Sequence, residues 1–225
     1  YAHDNEHEKN GRNGSNCYER MSYDTVKTFF YGIEKCSEYE YKGDFHEDQK
    51  HGKGSIKYLK TGRQYYGDFL KNEITGYGTY TYENNEVYEG QLLDGKKDGY
   101  GKYIWPDGGE YKGDYKNNIK DGYGKFFYEN GNSDEGQYIN DIQEGIGTMF
   151  FNNGDKYIGT FKNEQMEGKG TYYYNNGDRY EGDISHNLKH GKGILYFENG
   201  NIYNGEYKNG IREGKGKMVC KNGNT

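Results

Sequence analysis

Three residue patterns in this 225-residue chain have the types that site chemistry uses. Glycine pairs separated by one residue recur at Gly52/Gly54, Gly76/Gly78, Gly99/Gly101, Gly122/Gly124, Gly145/Gly147, Gly168/Gly170, Gly191/Gly193 and Gly214/Gly216. A glycine loop cradles a phosphate when it joins a strand to a helix N-terminus, where free backbone N–H groups and the helix dipole meet the anion. Here each pair precedes the alternating large residues of a strand, so nucleotide binding is not expected. His186 and His190 stand four apart, a spacing that suits zinc on one helix face. They flank an inter-strand turn instead, and His190 shares with His51 the place just before a glycine pair. Acids recur at Asp44, Asp68, Asp114, Asp183 and Glu206, spread over successive units rather than converging into an acid–base couple. No nucleophile, base and orienting group stand together. The chain reads as non-enzymatic, with no cofactor and no metal. Cys17, Cys36 and Cys220 are odd in number and lack any C-x-x-C spacing, which predicts free thiols in a reducing compartment.

The elements that carry these residues follow from composition and period. The chain holds 37 Gly, 28 Tyr and a single Pro at a net charge of −6, and its mean hydropathy is −1.32. Such hydropathy belongs to disordered chains, but those are poor in aromatics, and 17% of this one is Phe, Trp or Tyr. Order must come from rings rather than from an aliphatic core. No run approaches the roughly 20 apolar residues of a membrane span, and none near the start resembles a signal peptide. A cytoplasmic location is expected, with attachment to cytoskeleton or membranes through partners.

An aromatic–glycine signal recurs at Gly43, Gly67, Gly90, Gly113, Gly136, Gly159, Gly182 and Gly205, spaced 24 residues once and 23 thereafter. A one-residue insertion that displaces Gly62 accounts for the longer step. Two positions before these glycines stand Tyr41, Tyr65, Tyr88, Tyr111, Tyr157, Tyr180 and Tyr203. Two positions after stand further large residues, and the same alternation follows each glycine pair. A period of two is that of a strand. Asn-Gly, Gly-Asn and Gly-Asp steps between the runs supply the positive φ of tight turns. Each unit is therefore strand, turn, strand, turn. Eight such hairpins predict an all-β, single-layer antiparallel meander over residues 41–225, a ribbon on the order of 80 Å long. Residues 1–22 lack this pattern and are expected to be disordered. Residues 23–40, with a strand-like run at Val26 to Tyr31, are expected to cap the sheet. The start at Tyr1 and the stop at Thr225, before the next repeat tyrosine falls due, read as those of a fragment whose last repeat is incomplete.

Tyr111-Lys112-Gly113-Asp114-Tyr115, then Asp121-Gly122-Tyr123-Gly124-Lys125, then Glu129-Asn130-Gly131, resembles the MORN (membrane occupation and recognition nexus) repeat. The resemblance covers residues 41–225 and implies an elongated single-layer antiparallel sheet. For function it implies a breadth of roles: junction scaffolds between membranes, cytoskeletal and ciliary components, and appendages of lipid kinases or methyltransferases. In the fifth unit the chain departs from the pattern, with Asp134 in the place of the repeat tyrosine. That substitution removes a stacking ring.

Two surfaces are candidates for binding. On the face opposite the repeat tyrosines, the middle residue of the second strand is apolar in six successive units: Ile104, Phe127, Phe150, Tyr173, Tyr196 and Val219. One face of a single-layer sheet should stay polar. An aligned apolar row is expected to be covered by a protein partner, either a helix or a second copy of the ribbon. The second candidate is lipid. Residues 159–225 carry 10 basic against 8 acidic side chains, and Lys169, Lys192 and Lys215 recur between the paired glycines. A patch for anionic lipid gathers 4–8 cations, which makes a phosphoinositide-binding or regulatory module of a larger enzyme the alternative to a protein scaffold. The negative charge of the whole argues against nucleic acid.

Overall fold

The computed structural model describes the backbone of residues 6–10, 16–21 and 29–224, and the side chains of residues 29–224. Among these residues the fold is all-β, an open antiparallel meander of hairpins without helices. The expected disordered segment falls partly on residues 1–5, 11–15 and 22, which lie outside the described residues. Within it, Glu6–Asn10 (β1) and Asn16–Met21 (β2) form a pair of strands. Of the expected cap, residues 23–28 also lie outside the described residues, and Phe29–Lys35 forms β3, which pairs with β2 on one side.

The chain divides into two compact units. The first continues through β4 (Tyr39–His46), β5 (Gln49–Tyr58), β6 (Gln64–Leu70), β7 (Glu73–Thr81), β8 (Val87–Leu93) and β9 (Lys96–Ile104), each paired antiparallel with its neighbour in sequence. The second runs from β11 (Ile119–Phe127) through β12 (Ser133–Ile139), β13 (Ile142–Phe150), β14 (Lys156–Lys162), β15 (Gln165–Tyr173), β16 (Arg179–Ser185), β17 (Leu188–Tyr196) and β18 (Ile202–Lys208) to β19 (Ile211–Val219), paired in the same way. Strand β10 (Glu110–Lys116) is divided, Glu110–Asp114 belonging to the second unit and Tyr115–Lys116 to the first.

The core is made of tyrosines lying on glycines. Tyr41, Tyr65, Tyr88, Tyr111, Tyr157 and Tyr180 are fully buried. In each hairpin the leading glycine faces the second member of the pair across the strands, as Gly43 faces Gly54 and Gly159 faces Gly170. Except in the fifth hairpin, where Asp134 holds the place, the tyrosine ring two positions upstream lies over both. A Cβ on Gly170 would stand 2.3 Å from the Tyr157 ring, and one on Gly54 would stand 2.5 Å from the Tyr41 ring. The hydroxyl then donates to the carbonyl oxygen three residues on, at 2.8 Å in both Tyr41 to Asp44 and Tyr180 to Asp183. Edge-to-face contacts join one repeat to the next: Tyr41 with Phe69 at 5.0 Å, Tyr88 with Tyr115 at 5.5 Å, Tyr111 with Tyr138 and Tyr180 with Tyr207 at 5.2 Å. Each such contact adds about 0.5–1.5 kcal/mol beyond the area it buries.

The turns follow the residues expected. Lys71/Asn72, Asn117/Asn118 and His186/Asn187 all have positive φ at both positions, the geometry of two-residue hairpin turns matched to strand twist. The second turn residue also reaches the neighbouring repeat. The Asn118 N–H donates to the Lys97 carbonyl and its Oδ1 accepts from the Lys97 N–H, both at 2.8 Å. Between β3 and β5 lies a nearly buried ion pair, Lys50 to Glu34 at 2.9 Å, with the Tyr39 hydroxyl donating to the same carboxylate at 2.6 Å.

One expectation is corrected. Cys36 is disulfide-bonded and buried, whereas Cys220 is a free thiol. Spacing along the sequence does not report distance across strands, which is why three free thiols were expected.

The glycine–tyrosine contact makes a direct prediction. Gly170→Ala, at a position with ordinary strand φ, forces the Tyr157 ring off the backbone and should lower stability by about 1–3 kcal/mol in chemical denaturation. Gly62→Ala, where nothing lies within 4 Å of the new methyl, loses only what its positive φ costs.

Candidate interaction surfaces

The two faces of the sheet carry different chemistry. On the tyrosine–glycine face, the second strand ends in two neighbouring rings in four hairpins, Tyr80/Tyr82, Tyr103/Trp105, Phe126/Tyr128 and Tyr172/Tyr174. In the first unit these form a continuous lane: Tyr80 to Tyr82 at 4.8 Å, Tyr82 to Tyr103 at 5.8 Å and Tyr103 to Trp105 at 4.7 Å. Beside it lies a cleft of about 360 Å³ lined by Arg63, Tyr80, Tyr82, Glu86, Lys97 and Tyr103 among others. The Tyr103 hydroxyl donates to Glu86. The second unit has ring contacts of its own, Phe126 with Tyr128 at 4.6 Å, and Phe151, Tyr172 and Tyr174 at 5.5 and 4.6 Å in turn. Burial pushes the Tyr82 and Tyr174 hydroxyls up to about 12, so both remain neutral donors at physiological pH.

Beneath this lane lies a set of caged cations that sequence reasoning missed. In four repeats the second residue of the second strand is a partly or fully buried lysine, Lys50, Lys97, Lys120 or Lys189, and in the last repeat Arg212 holds the same place but is exposed. Lys97 Nζ is 4.4, 4.9 and 5.8 Å from the ring centres of Tyr103, Tyr115 and Tyr88. Lys120 stands 4.9 Å from Tyr138 and 5.4 Å from both Tyr111 and Phe126. Burial pushes the Lys120 and Lys189 ammonium groups below the ordinary lysine value. Asp141 and Glu164 oppose the shift at Lys120, and Arg212 reinforces it at Lys189. The missed signal was positional: a cation two residues after a turn reads as solvated until the turn is known to aim it over rings.

On the reverse face the expected row is present but interleaved. Cross-strand partners separate its members, giving Phe127, Ser133, Phe150, Lys156, Tyr173, Arg179, Tyr196, Ile202 and Val219 in order through the second unit. Ile104 in the first unit pairs with Val87. Cations lie on the rings: Lys125 is 5.1 Å from both Phe127 and Phe150, Lys156 is 4.7 Å from Tyr173, and Arg179 is 4.4 Å from Tyr196. The rings of Phe127, Phe150 and Tyr196 are half-buried in this way, and Tyr173 retains 37% exposure. The row is amphipathic, not a bare apolar strip. Strongly exposed large residues that sequence reasoning passed over also stand on this face: Tyr77, Tyr100, Tyr123 and Ile146, in the middle of successive glycine pairs, and Tyr66.

The same middle position holds Lys169, Lys192 and Lys215. Acids stand between them: Lys169 faces Asp183 and Lys192 faces Glu206. Lys169 is ion-paired to Asp183, whose other carboxylate oxygen accepts the Lys192 backbone N–H at 2.9 Å. Partial burial pushes the Asp183 carboxyl up, but Lys169 and that N–H outweigh it and hold it below the ordinary value. The three lysines therefore do not present the unbroken basic patch that anionic lipid requires. The glycine pairs themselves are bulges. The first glycine has positive φ, as at Gly52, Gly76 and Gly191, and the N–H after it donates to Asp44, Asp68 or Asp183. This explains the recurring acids. His186 lies in its turn, and its backbone N–H donates to Glu167 at 2.9 Å. No group of three metal-ligating side chains occurs among the described residues, and among them no helix is long and apolar enough to cross a membrane.

Against known families, eight segments match the MORN repeat: residues 41–58, 65–87, 88–110, 111–133, 135–156, 157–179, 180–202 and 203–225. The chain belongs to the MORN repeat family. No curated protein matches this MORN chain. Among solved structures it is similar to the TCP domain of SAS-4 (dCPAP) from Drosophila melanogaster, in complex with a proline-rich motif of Ana2 (dSTIL), at 18% identity and a TM-score of 0.44, covering 68% of this chain and 85% of that one. It is also similar to the TCP10 domain of Danio rerio CPAP in complex with a peptide of STIL, at 11% identity and a TM-score of 0.45, covering 90% and 84%. Both likenesses are of β-sheet fold alone.

The caged cations are tested by substitution. Lys189→Met copies Met166 at the equivalent place, trading a ring–cation attraction for relief of a desolvated charge, and should change stability by less than about 1 kcal/mol. Lys189→Ala empties the cage and should cost about 2 kcal/mol or more. Equal losses for both variants in urea denaturation would show the charge itself to be essential.

Proposed function

We propose that this MORN chain is a protein-binding scaffold without catalysis of its own, and that a partner segment docks along the ring lane of the tyrosine–glycine face. The observation that carries this reading is the lane of Tyr80, Tyr82, Tyr103 and Trp105 with its adjoining cleft, where ring edges meet Arg63 at one side and Glu86 at the other. Apolar surface flanked by a few placed charges is the chemistry of a peptide groove. The reverse row of Ile104, Phe127, Phe150, Tyr173, Tyr196 and Val219 is the second docking surface in this reading, weakened by the cations that already lie on its rings. Those cations also oppose pairing of the row with a second copy, because like charges would meet.

Photo-crosslinking decides between the faces. With a photoreactive phenylalanine at position 82 the chain should trap a partner in source cells, and Tyr80→Ser with Tyr103→Ser should lower its recovery at least tenfold while the β-sheet circular dichroism is kept. Phe127→Ser with Phe150→Ser and Tyr173→Ser should leave recovery unchanged. The opposite pattern moves the dock to the reverse face, and a chain that traps nothing from either face is no scaffold.

A cytoplasmic setting, with attachment to cytoskeletal or membrane structures through partners, belongs to the same reading. The Cys36 disulfide stands against it, since cytosolic thiols are kept reduced. Alkylation of freshly lysed source cells without reductant should label Cys36 if the setting is right. A Cys36 that labels only after reduction places the protein in an oxidising compartment.

A further inference from the structure

The fifth hairpin, β12–β13, brings together four departures from the repeat pattern. Asp134 holds the place of the repeat tyrosine, is fully buried, and accepts hydrogen bonds from the Tyr128 and Tyr138 hydroxyls. With no tyrosine ring over the glycine pair, the Gln143 side chain and an edge of the Phe161 ring lie over it: Gln143 Nε2 is 3.0 Å and Phe161 Cδ2 3.1 Å from a Cβ built on Gly147, where other units show a tyrosine ring within 2.3–2.7 Å. Gln143 is only 4% exposed, and that Nε2 has no hydrogen-bond partner. Gln137 stands where Asp44, Asp68, Gln91, Asp114, Asp183 and Glu206 accept the N–H at the bulge in other units, and, like Thr160 in the next unit, it makes no such bond. Nothing lies within 4 Å of a Cβ built on Gly145. Finally, the joint to the next repeat holds the Glu164 N–H to the Gln143 carbonyl at 3.2 Å and the Asn163 N–H to the Glu144 carboxylate at 3.0 Å, but, as at Gly95 and Gly210, it lacks the side-chain acceptor by which Asn72, Asn118, Asp141 and Asn187 each make a second bond.

A buried carboxylate, an orphaned amide and a thinned joint all lower the cost of separating these strands from their neighbours. We propose that β12–β13 is a local opening element of the second unit, held shut when Asp134 is protonated and loosened when it ionises. The groups facing Asp134 are few. They are Lys120 and Phe126 of β11, Tyr128 just beyond it, Tyr138 of β12, Met149 of β13, and Glu164 in the turn between β14 and β15. Burial raises the proton affinity of Asp134, Glu164 adds to this, and the two hydroxyls and Lys120 oppose it without cancelling it. A carboxyl whose folded value is raised stabilises fully below its unfolded value, and that contribution is lost as pH rises through the folded one. Opening, which hydrates the carboxylate, is therefore favoured towards alkaline pH. The element is independent of which face binds partners.

Hydrogen exchange on the full chain, corrected for intrinsic chemistry, tests this. At about pH 8, residues 133–150 should exchange on the order of tenfold faster than the equivalent residues 179–196, and the gap should narrow towards about pH 5. Asp134→Asn keeps the side-chain size without the charge and should abolish the pH dependence. Asp134→Tyr restores the ring over Gly136 and Gly147 and should bring protection to that of residues 179–196. If Asp134→Tyr does not fold, Asp134→Asn decides alone. Equal protection of the two hairpins at both pH values, or a pH dependence that persists in Asp134→Asn, overturns the proposal.

Discussion

A tyrosine ring lying flat on two glycines is the contact from which the rest of this fold follows. The chain has too few aliphatic residues for a layered core, so the sheet buries its rings against its own backbone. That is possible only where no Cβ stands in the way, which places one glycine on each strand and sets them opposite one another, as Gly159 and Gly170 are. Register is pinned by the same contact, because a slip of one residue would bring a side chain under the ring. The hydroxyl, tied to a carbonyl three residues on, fixes the direction in which the ring points. Edge contacts with the next repeat then follow from that direction.

This logic was legible in the sequence because it is periodic. The 23-residue spacing, the alternation on both strands and the turn residues all announce hairpins, and the family resemblance follows from them. What stayed hidden was not periodic or not local. Lys97, Lys120 and Lys189 look like solvated surface charges in one dimension, and only the twist of the turn aims them at three rings each. The row from Ile104 to Val219 was found, but the residues facing it across the strands were not, because cross-strand register depends on the bulge at each glycine pair. For the same reason the recurring acids looked like a polar decoration. They are acceptors for the bulge N–H. The Cys36 disulfide and the enclosure of Asp134 are tertiary facts with no local signature.

The two faces divide the labour between stability and contact. Rings on the tyrosine–glycine face are locked below and presented above, so an aromatic surface is held rigid at little cost in side-chain entropy. On the reverse face the same residue types are tempered by lysine and arginine, a device that discourages unwanted pairing of exposed sheet surface. Tyr128 and Tyr138 show how far the core tolerates change: with Asp134 between them, the ring ladder is replaced locally by a hydrogen-bonded cluster, and the strand register survives.

The bridges at the hairpin turns carry a mechanical consequence. Where the second turn residue is Asn or Asp, as at Asn72, Asn118, Asp141 and Asn187, successive repeats are clasped by a donor and an acceptor together. Where it is Gly95, Glu164 or Gly210, a single backbone bond remains. A pull along the stacking direction would thus meet seams of unequal strength, and the order in which they part would be written in one residue per turn.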